Sequence, residues 1–423
     1  MTETAESFLV RYGMLDPDFN MIGCAKSMLT EMQRGLAGDD SSYPMIPTYL
    51  NSAGSISEGE HVVVIDAGGT NFRAALAHFH DGACILEKLR KTGMPGIDHP
   101  VSWGEFISFV ADEIEDLVPY SNWIGFCFSY NAEILPNLDG RVVCIDKEVT
   151  VTGCEGQLVG QDLCRELERR GFPGKRAVIL NDTAAVQLGG MAKHLRDGYS
   201  ACFGQVSGTG TNTCCTVPAG RIPKLGSDTR SMIVNMESGM YAGIRQGEFD
   251  RRLDAASHNP GQKRFEKMTA GVYLGELCHI ALSQAAEDAV LSDACCRAIR
   301  ALPRVDSAIA DAWAMGEKLD VIQANEEDCL WIESLARLLF ERSATLMCAN
   351  LTAMTLLTDL GINGKGAVIA EGSLVQRNHF YRPKLEELLN RHVRGDLNRH
   401  VDFVVEQDTT LPGAAAAALL NLQ

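Results

Sequence analysis

The sequence predicts a layered α/β fold, because segments typical of strands alternate with segments typical of amphipathic helices along most of its 423 residues. The strand candidates are short runs rich in apolar and β-branched residues. They are His61–Asp66, Phe72–His80, Trp123–Ser129, Arg141–Ile145, Ala177–Leu180, Ala201–Val206 and Ala367–Ile369. Since one hydrophobic core rarely serves more than roughly 250–300 residues, we expect two domains.

The helix candidates repeat apolar residues every three or four positions. They are Trp103–Leu117, Gly160–Arg170, Ala184–Leu195, Ala270–Gln284, Trp331–Leu357 and Pro383–Arg391. The region 5–37 is also helical in pattern, with an interruption at Asp16 and Pro17. The first two strand candidates are joined by a short turn that contains two glycines, so we expect them to form a hairpin.

The composition excludes several classes of protein. A net charge of −17 argues against a general nucleic-acid binder, which would carry a basic surface. No stretch approaches the roughly 18 apolar residues of a membrane span, and the first residues lack the pattern of a secretion signal. None of the 14 cysteines forms a C-x-x-C pair, so we expect buried free thiols. These observations predict a cytoplasmic protein without a membrane partner.

The first motif lies at the tip of the predicted hairpin. Gly68 and Gly69 let the backbone approach a ligand closely, and successive amides there can surround a phosphate. Asp66 at the end of the strand can hold Mg²⁺ directly or through water, and Arg73 can neutralise phosphate charge. The alternative is a plain glycine turn.

The second motif follows the predicted strand that ends at Val206. Gly208 and Gly210 flank Thr209, so amides and a hydroxyl are again available for phosphate. A single motif of this kind is weak evidence. Two glycine turns about 140 residues apart, each attached to a strand, favour a nucleotide held between two domains.

The third motif, Asn181 and Asp182, stands where a predicted strand leads into a helix. An alcohol that attacks a phosphate needs a carboxylate to accept its proton, and Asp182 is the candidate base. The alternative is helix capping, for which Asn and Asp are favoured residues.

Taken together, these motifs resemble those of the hexokinase family within the actin-like ATPases. Asp66–Arg73 is similar to the family's phosphate loop D-L-G-G-T-N-F-R, Asn181–Thr183 to its catalytic N-D-T, and Gly208–Asn212 to its second phosphate loop G-T-G-x-N. Asn235–Gly239 is similar to N-x-E-W-G, and the densest match is Phe249–Glu276.

The resemblance implies a two-lobed actin-like ATPase (ribonuclease H-like) α/β fold with an active-site cleft between the lobes. The small lobe would comprise residues 60–180 and 409–423, and the large lobe residues 1–58 and 183–408. The implied reaction is transfer of the γ-phosphoryl group of MgATP to the 6-hydroxyl of a hexose, with glucose as the favoured sugar, as in the first step of glycolysis. The implied assembly is a monomer or a homodimer.

The resemblance also assigns roles to individual residues. The sugar would contact Ser129, Asp146, Lys147, Asn181, Asp182, Asn212, Glu237 and Glu266. The nucleotide would contact Asp66, Gly68, Gly69, Thr70, Asn71, Arg73, Gly208, Thr209, Gly210, Gly372 and Ser373. Asp182 would be the base, assisted by Lys147 and Arg73, and Asp66 would hold Mg²⁺ through water.

The chain departs from the family pattern near the sugar. The family has proline, threonine and tryptophan where this sequence has Asn131, Asp146 and Ser238. Two alternatives therefore stay open: a kinase for another hexose or an amino sugar, and a protein that senses sugar without phosphorylating it.

Overall fold

The computed structural model describes residues 3–145, 149–194, 197–226, 230–317, 322 and 324–422, and within them the chain forms two main β-sheets surrounded by helices. The strands are β1 Ile46–Pro47, β2 Val62–Gly68, β3 Asn71–His80, β4 Ala83–Gly93, β5 Val101–Ser102, β6 Trp123–Phe128, β7 Asn131–Ile134, β8 Gly140–Cys144, β9 Val151–Thr152, β10 Arg176–Leu180, β11 Tyr199–Ser207, β12 Thr211–Val217, β13 Met232–Asn235, β14 Lys365–Glu371 and β15 Val401–Val405. The helices are α1 Ala5–Arg11, α2 Met21–Ala37, α3 Trp103–Ile114, α4 Val159–Arg169, α5 Asp182–Lys193, α6 Glu248–Ala256, α7 Arg264–Thr269, α8 Gly271–Glu287, α9 Asp293–Arg300, α10 Ser307–Ala314, α11 Glu326–Thr358, α12 Ser373–Arg377, α13 Tyr381–Leu389 and α14 Thr410–Asn421.

One sheet has the strand order β10-β6-β2-β3-β4 among the described residues. Its strands β10, β6 and β2 are parallel, and Cys127 pairs with Leu180 on one side and with Asp66 on the other. The carboxyl ends of these three strands therefore lie side by side. Residues that follow them in sequence meet at one edge of the sheet, which is where ligands bind in many α/β proteins.

The other sheet has the order β1-β13-β12-β11-β14-β15 in the part of the chain that the structure describes. Strands β11, β14 and β15 are parallel, and Val206 pairs with Glu371. The turns that follow β11 and β14 are consequently neighbours. Helices α2 and α11 pack on each other, and their apolar faces share the larger hydrophobic core with residues of this sheet.

Helices α5 and α14 connect the two sheets. Helix α14 packs on β2, β6 and β10, whereas α5 packs on β11, β12 and β14. The two helices cross closely, since a Cβ atom added at Gly413 would lie 1.9 Å from the carbonyl oxygen of Ala185. Side chains of both sheets, such as Val64 and Ile233, share one buried cluster with these helices.

The strands and helices predicted from the sequence are confirmed, with ends that shift by a few residues. The predicted interruption at Asp16 and Pro17 separates α1 from α2. Strands β4, β12, β13 and β15 were not predicted. Strand β4 carries the charged residues of Leu86–Lys91 and is largely exposed at a sheet edge, so it lacks the apolar pattern that reveals buried strands.

The cysteines are free thiols, and most of them are buried, as the sequence predicts. Burial raises the pKa of several of these thiols, among them that of Cys278 to about 12. Every helix in the described ranges is too short or too polar to cross a membrane.

Candidate active site

The first glycine turn connects β2 to β3 and lies against the residues that follow β6. A Cβ atom at Gly68 would approach the Cβ of Ser129 to 2.7 Å, so only glycine fits there without displacement. Gly69 adopts a φ of 58°, in the left-handed region that favours glycine. Its carbonyl oxygen accepts a hydrogen bond of 3.2 Å from the hydroxyl of Tyr130. The neighbouring Thr70 is exposed and open to a ligand.

Asp66 and Arg73 form an ion pair at the base of this turn. The guanidinium donates two bonds of 2.9 and 2.7 Å, both to Oδ2 of Asp66. Arg73 also donates to Asp408 Oδ1 and to Thr410 Oγ1 at the start of α14. Burial raises the pKa of Asp66 above its ordinary value, and the positive charge of Arg73 opposes that rise. Arg73 therefore ties the β2–β3 hairpin to α14, and its predicted contact with phosphate stays a prediction.

Asn181 and Asp182 divide between them the two roles that the sequence left open. The side-chain oxygen of Asn181 accepts a bond from the amide of Ala184 at 3.0 Å, so Asn181 is the N-cap of α5. Asp182 is the first residue of the helix, and the bonds of 2.7 and 3.1 Å that it accepts from Thr183 both end on Oδ1. Since Asn181 serves as the cap, the carboxylate of Asp182 is not needed for that purpose.

A polar cluster lies where the antiparallel strands β12 and β13 begin and end, respectively. Glu237 adopts a left-handed φ of 51°, and its Oε1 accepts bonds from the side-chain amides of Asn235 at 2.7 Å and Asn212 at 3.4 Å. Burial raises the pKa of Glu237, the bond from Asn235 opposes the rise, and the negative charge of Asp182 adds to it. Asn212 Oδ1 accepts from the amide of Ser238 at 3.2 Å. These contacts fix the Glu237 carboxylate near Asp182.

Glu266 lies beside the second glycine turn. Its Oε2 accepts a bond of 3.2 Å from the amide of Thr211. A Cβ atom at Gly210 would lie 3.0 Å from the same oxygen, so the absence of a side chain at residue 210 leaves room for the carboxylate. Lys263 Nζ is 3.7 Å from Glu266 Oε1. The turn after β11 and the carboxylate of Glu266 thus form one connected site.

The turn after β11 also contacts the turn after β14. Gly372 has a φ of 124°, and a Cβ atom there would lie 2.3 Å from the carbonyl oxygen of Ser207. A Cβ atom at Gly208 would lie 3.2 Å from the amide nitrogen of Ser373. Thr209 and Ser373 are exposed next to this contact. Two glycines thereby let the backbones of the two turns pack directly against each other, beside amides and hydroxyls of the kind that bind phosphate.

The structure brings together most of the residues that the sequence singles out. Asp66 lies near the carboxyl end of β2, and Ser129 and Asp182 follow the adjacent parallel strands β6 and β10. Asn71 donates a bond of 3.2 Å to Thr70 within the first turn. Asp146 and Lys147 lie outside the described residues.

Sequence reasoning missed the residues that position the carboxylates. Asn235 and Lys263 contact Glu237 and Glu266, respectively, yet neither was proposed as a site residue. The signal for Asn235 was available, because it is the first residue of the segment that resembles N-x-E-W-G.

Comparison with known proteins divides the chain into two matched parts. Two family models, both described as hexokinase, match residues 15–191 and residues 202–420. The chain belongs to the hexokinase family. Mouse hexokinase-3 is 34% identical over 270 residues, which is 60% of this chain but 28% of that protein. Rice hexokinase-5 is 27% identical, over 67% of this chain and 59% of the relative. The chain thus matches less than two thirds of the length of these hexokinases, whereas the match to tobacco hexokinase-1, at 26% identity, spans 96% of the chain and 88% of the relative.

Solved hexokinase structures share the fold over nearly the whole chain. The hexokinase of Schistosoma mansoni complexed with glucose aligns with a TM-score of 0.78 at 19% identity, covering 98% of both chains. A second hexokinase crystal structure gives a TM-score of 0.82 at 20% identity and the same coverage. The two-lobed fold predicted from the sequence is therefore confirmed.

Proposed function

We propose that this member of the hexokinase family transfers the γ-phosphoryl group of MgATP to the 6-hydroxyl of a hexose, glucose being the favoured sugar, as in the first step of glycolysis. The observation that carries the proposal is the position of Asp182. Its carboxylate begins α5 beside the strand end that holds Asp66, and its charge acts on Glu237 in the polar cluster. This position supports Asp182 as a proton acceptor between the proposed phosphate-binding turn and the proposed sugar-binding side chains.

Asp182 accepts the proton of the 6-hydroxyl as its oxygen attacks the γ-phosphorus. Its Oδ2 is not used by the bonds from Thr183, which leaves an acceptor for the hydroxyl. Lys147 assists at the sugar, and Arg73 stabilises charge on the phosphoryl group while it holds Asp66. In this assignment Asp182 is the base, whereas Lys147 and Arg73 contribute positive charge.

Asp66 fits a magnesium ion. Carboxylate oxygen is the ligand that Mg²⁺ prefers, and this ion usually keeps several waters. Both bonds from Arg73 end on Oδ2, so Oδ1 is the oxygen through which Asp66 would hold the ion by way of water. When bound, Mg²⁺ neutralises negative charge on the phosphates.

We assign recognition of the sugar hydroxyls to polar side chains that donate or accept hydrogen bonds. The proposed set is Ser129, Asp146, Lys147, Asn181, Asp182, Asn212, Glu237 and Glu266. Support comes from the bonds that hold Glu237 and Glu266 in fixed orientations. Fixed carboxylates are costly to leave unpaired, so a sugar that lacks the matching hydroxyl should bind weakly.

The nucleotide would contact both glycine turns. Thr70 and Thr209 offer exposed hydroxyls to the phosphates, and Gly372 and Ser373 would lie beside the adenosine. We assign residues 60–180 and 409–423 to the small lobe and residues 1–58 and 183–408 to the large lobe. Support for this division is that the five-stranded sheet uses only strands from β2 to β10. A cytoplasmic monomer or homodimer is the form that we expect.

The test is ADP release by the purified protein with MgATP and a panel of glucose, mannose, fructose, glucosamine and N-acetylglucosamine. We expect release that depends on the sugar, with glucose giving the highest kcat/KM. If another sugar gives the highest value, the protein is a hexose kinase with a different preference. No release with any sugar, together with thermal stabilisation by one of them, would replace the proposal with a sugar sensor.

Replacing Gly208 with alanine tests the nucleotide site separately. The added methyl group would press on the amide of Ser373 and widen the contact between the two turns. We expect the KM for ATP to rise about tenfold, which corresponds to about 1.4 kcal/mol, while the KM for the sugar changes little. Steady-state kinetics with each substrate varied in turn measures both values. An unchanged KM for ATP would show that this contact does not shape the nucleotide site.

A further inference from the structure

Three side chains with metal-binding atoms lie together at the end of the five-stranded sheet opposite the glycine turn. His61 directly precedes β2, His78 is on β3 and Glu87 is on the edge strand β4. The register pairs Val62 with Ala77 and His78 with Ile85. Because side chains alternate along a strand, all three residues project from the same face of the sheet.

The spacing of these groups suits an ion better than it suits direct bonds. One ligand atom from each residue lies within 4.8 Å of the other two. The rings of His61 and His78 are 4.8 Å apart between centroids. His78 Nδ1 is 3.7 Å from Glu87 Oε1, which is too long for a hydrogen bond. The same nitrogen is shielded from water and has no hydrogen-bond partner.

An unpaired buried ring nitrogen costs stability, and a metal ion would satisfy it. Zinc takes imidazole nitrogen and carboxylate oxygen at about 2.0–2.2 Å in tetrahedral geometry, which places ligand atoms about 3.3 Å apart. The observed separations exceed that value by at most about 1.5 Å, a movement within reach of side-chain rotation.

The kinds of ligand atom favour one metal over others, and the length of β2 separates the cluster from the proposed active site. Magnesium and calcium prefer oxygen, whereas a site with two imidazoles and one carboxylate suits zinc. His61 lies seven residues before Gly68 with β2 between them, which is about 23 Å at the rise of a β-strand. An ion there would not contact a phosphate bound at the glycine turn.

We propose that His61, His78 and Glu87 form a zinc site that fastens the edge strand β4 to β3 and β2. The ion replaces a weak contact between two imidazoles and an exposed carboxylate with three coordinate bonds across three strands. Such a link stabilises the lobe that carries Asp66 without taking part in phosphoryl transfer. An ion held by Glu87 also makes the edge strand β4 less able to pair with a strand of another chain.

The test is titration of the full chain, freed of metal with a chelator, with Co²⁺ as a spectroscopic probe and then with Zn²⁺ as competitor. We expect one Co²⁺ per chain with the visible bands of nitrogen and oxygen ligands, displaced by an equal amount of Zn²⁺. In Glu87→Gln and in His61→Ala the affinity for Co²⁺ should fall at least about tenfold. Glu87 is half exposed, so its isosteric replacement should leave the fold intact.

His80→Ala is the matched control, because His80 lies on β3 and on the same face of the sheet as His78, and its side chain is largely exposed. This variant should bind Co²⁺ as the parent does, and Zn²⁺ should raise the Tm of the parent and of this control but not that of Glu87→Gln. Equal affinity in all variants, no binding by the parent, or a cobalt–thiolate charge-transfer band would each overturn the proposal. A cobalt–thiolate band would mean that cysteine sulfur, and not His61, His78 and Glu87, binds the ion.

Discussion

Replacing Asp182 with asparagine should lower kcat for sugar-dependent ADP release by about 10²–10⁴-fold, the usual contribution of a positioned proton acceptor. Asparagine keeps the shape of the side chain and an oxygen for the amide of Thr183. The cap of α5 is provided by Asn181 and stays in place. The effect should therefore fall on turnover, with thermal stabilisation by ATP largely retained. Steady-state kinetics and thermal unfolding with each ligand measure the two quantities.

Asp293→Asn is the matched control for this variant. Asp293 is the first residue of α9, directly after the N-cap Ser292, just as Asp182 follows Asn181 in α5. Because Asp293 is exposed on another part of the molecule, kcat should not change. Near-normal turnover by Asp182→Asn would remove Asp182 from the role of base, whatever the control shows.

The centre of the candidate site was predictable because its residues are local in sequence. Each key group lies at or just after the end of a strand: Asp66 is near the end of one, Asp182 starts the helix after another, and Gly208 follows a third. Parallel pairing then brings the groups that follow β2 and β10 to one edge of the sheet without further information. The resemblance to the hexokinase family added the roles of residues that no local pattern distinguishes, such as Glu266.

The supporting contacts were not predictable, because they join distant segments through backbone geometry. Nothing in the sequence indicates that Arg73 reaches Thr410, or that the oxygen of Glu266 receives the amide of Thr211. Exposed edge strands are hard to predict for another reason. Strand β4 is specified by pairing with β3, and the four charged residues within Leu86–Lys91 have a spacing that a helix surface could equally carry.

The close approach of α14 to α5 is a further feature that only the folded chain reveals. Its sequence is a run of alanines with weak amphipathic character, which on its own predicts a buried helix and no particular neighbour. The small side chains allow α14 to approach both α5 and the strand β6, where a Cβ atom at Gly125 would lie 2.0 Å from the carbonyl oxygen of Ala414. The helix pair is thus the joint between the two sheets.

Replacing Gly413 with alanine should consequently destabilise the whole molecule. The added methyl group would overlap the carbonyl oxygen of Ala185 on α5, a backbone atom that cannot rotate away. The helices would have to separate, and the shared core between the sheets would loosen. We expect a loss of at least about 2 kcal/mol in the free energy of unfolding, at the upper end of overpacking effects. Urea unfolding followed by circular dichroism measures it.

Gly104→Ala provides the comparison that isolates this close approach from the general effect of a methyl group in a helix. Gly104 lies in α3 with open space around the added atom, so the variant should be as stable as the parent or more stable by up to about 1 kcal/mol. Equal stability of both variants would mean that α5 and α14 can move apart at little cost. Because these helices join the two sheets, the stability of Gly413→Ala also measures how rigidly the proposed lobes are connected.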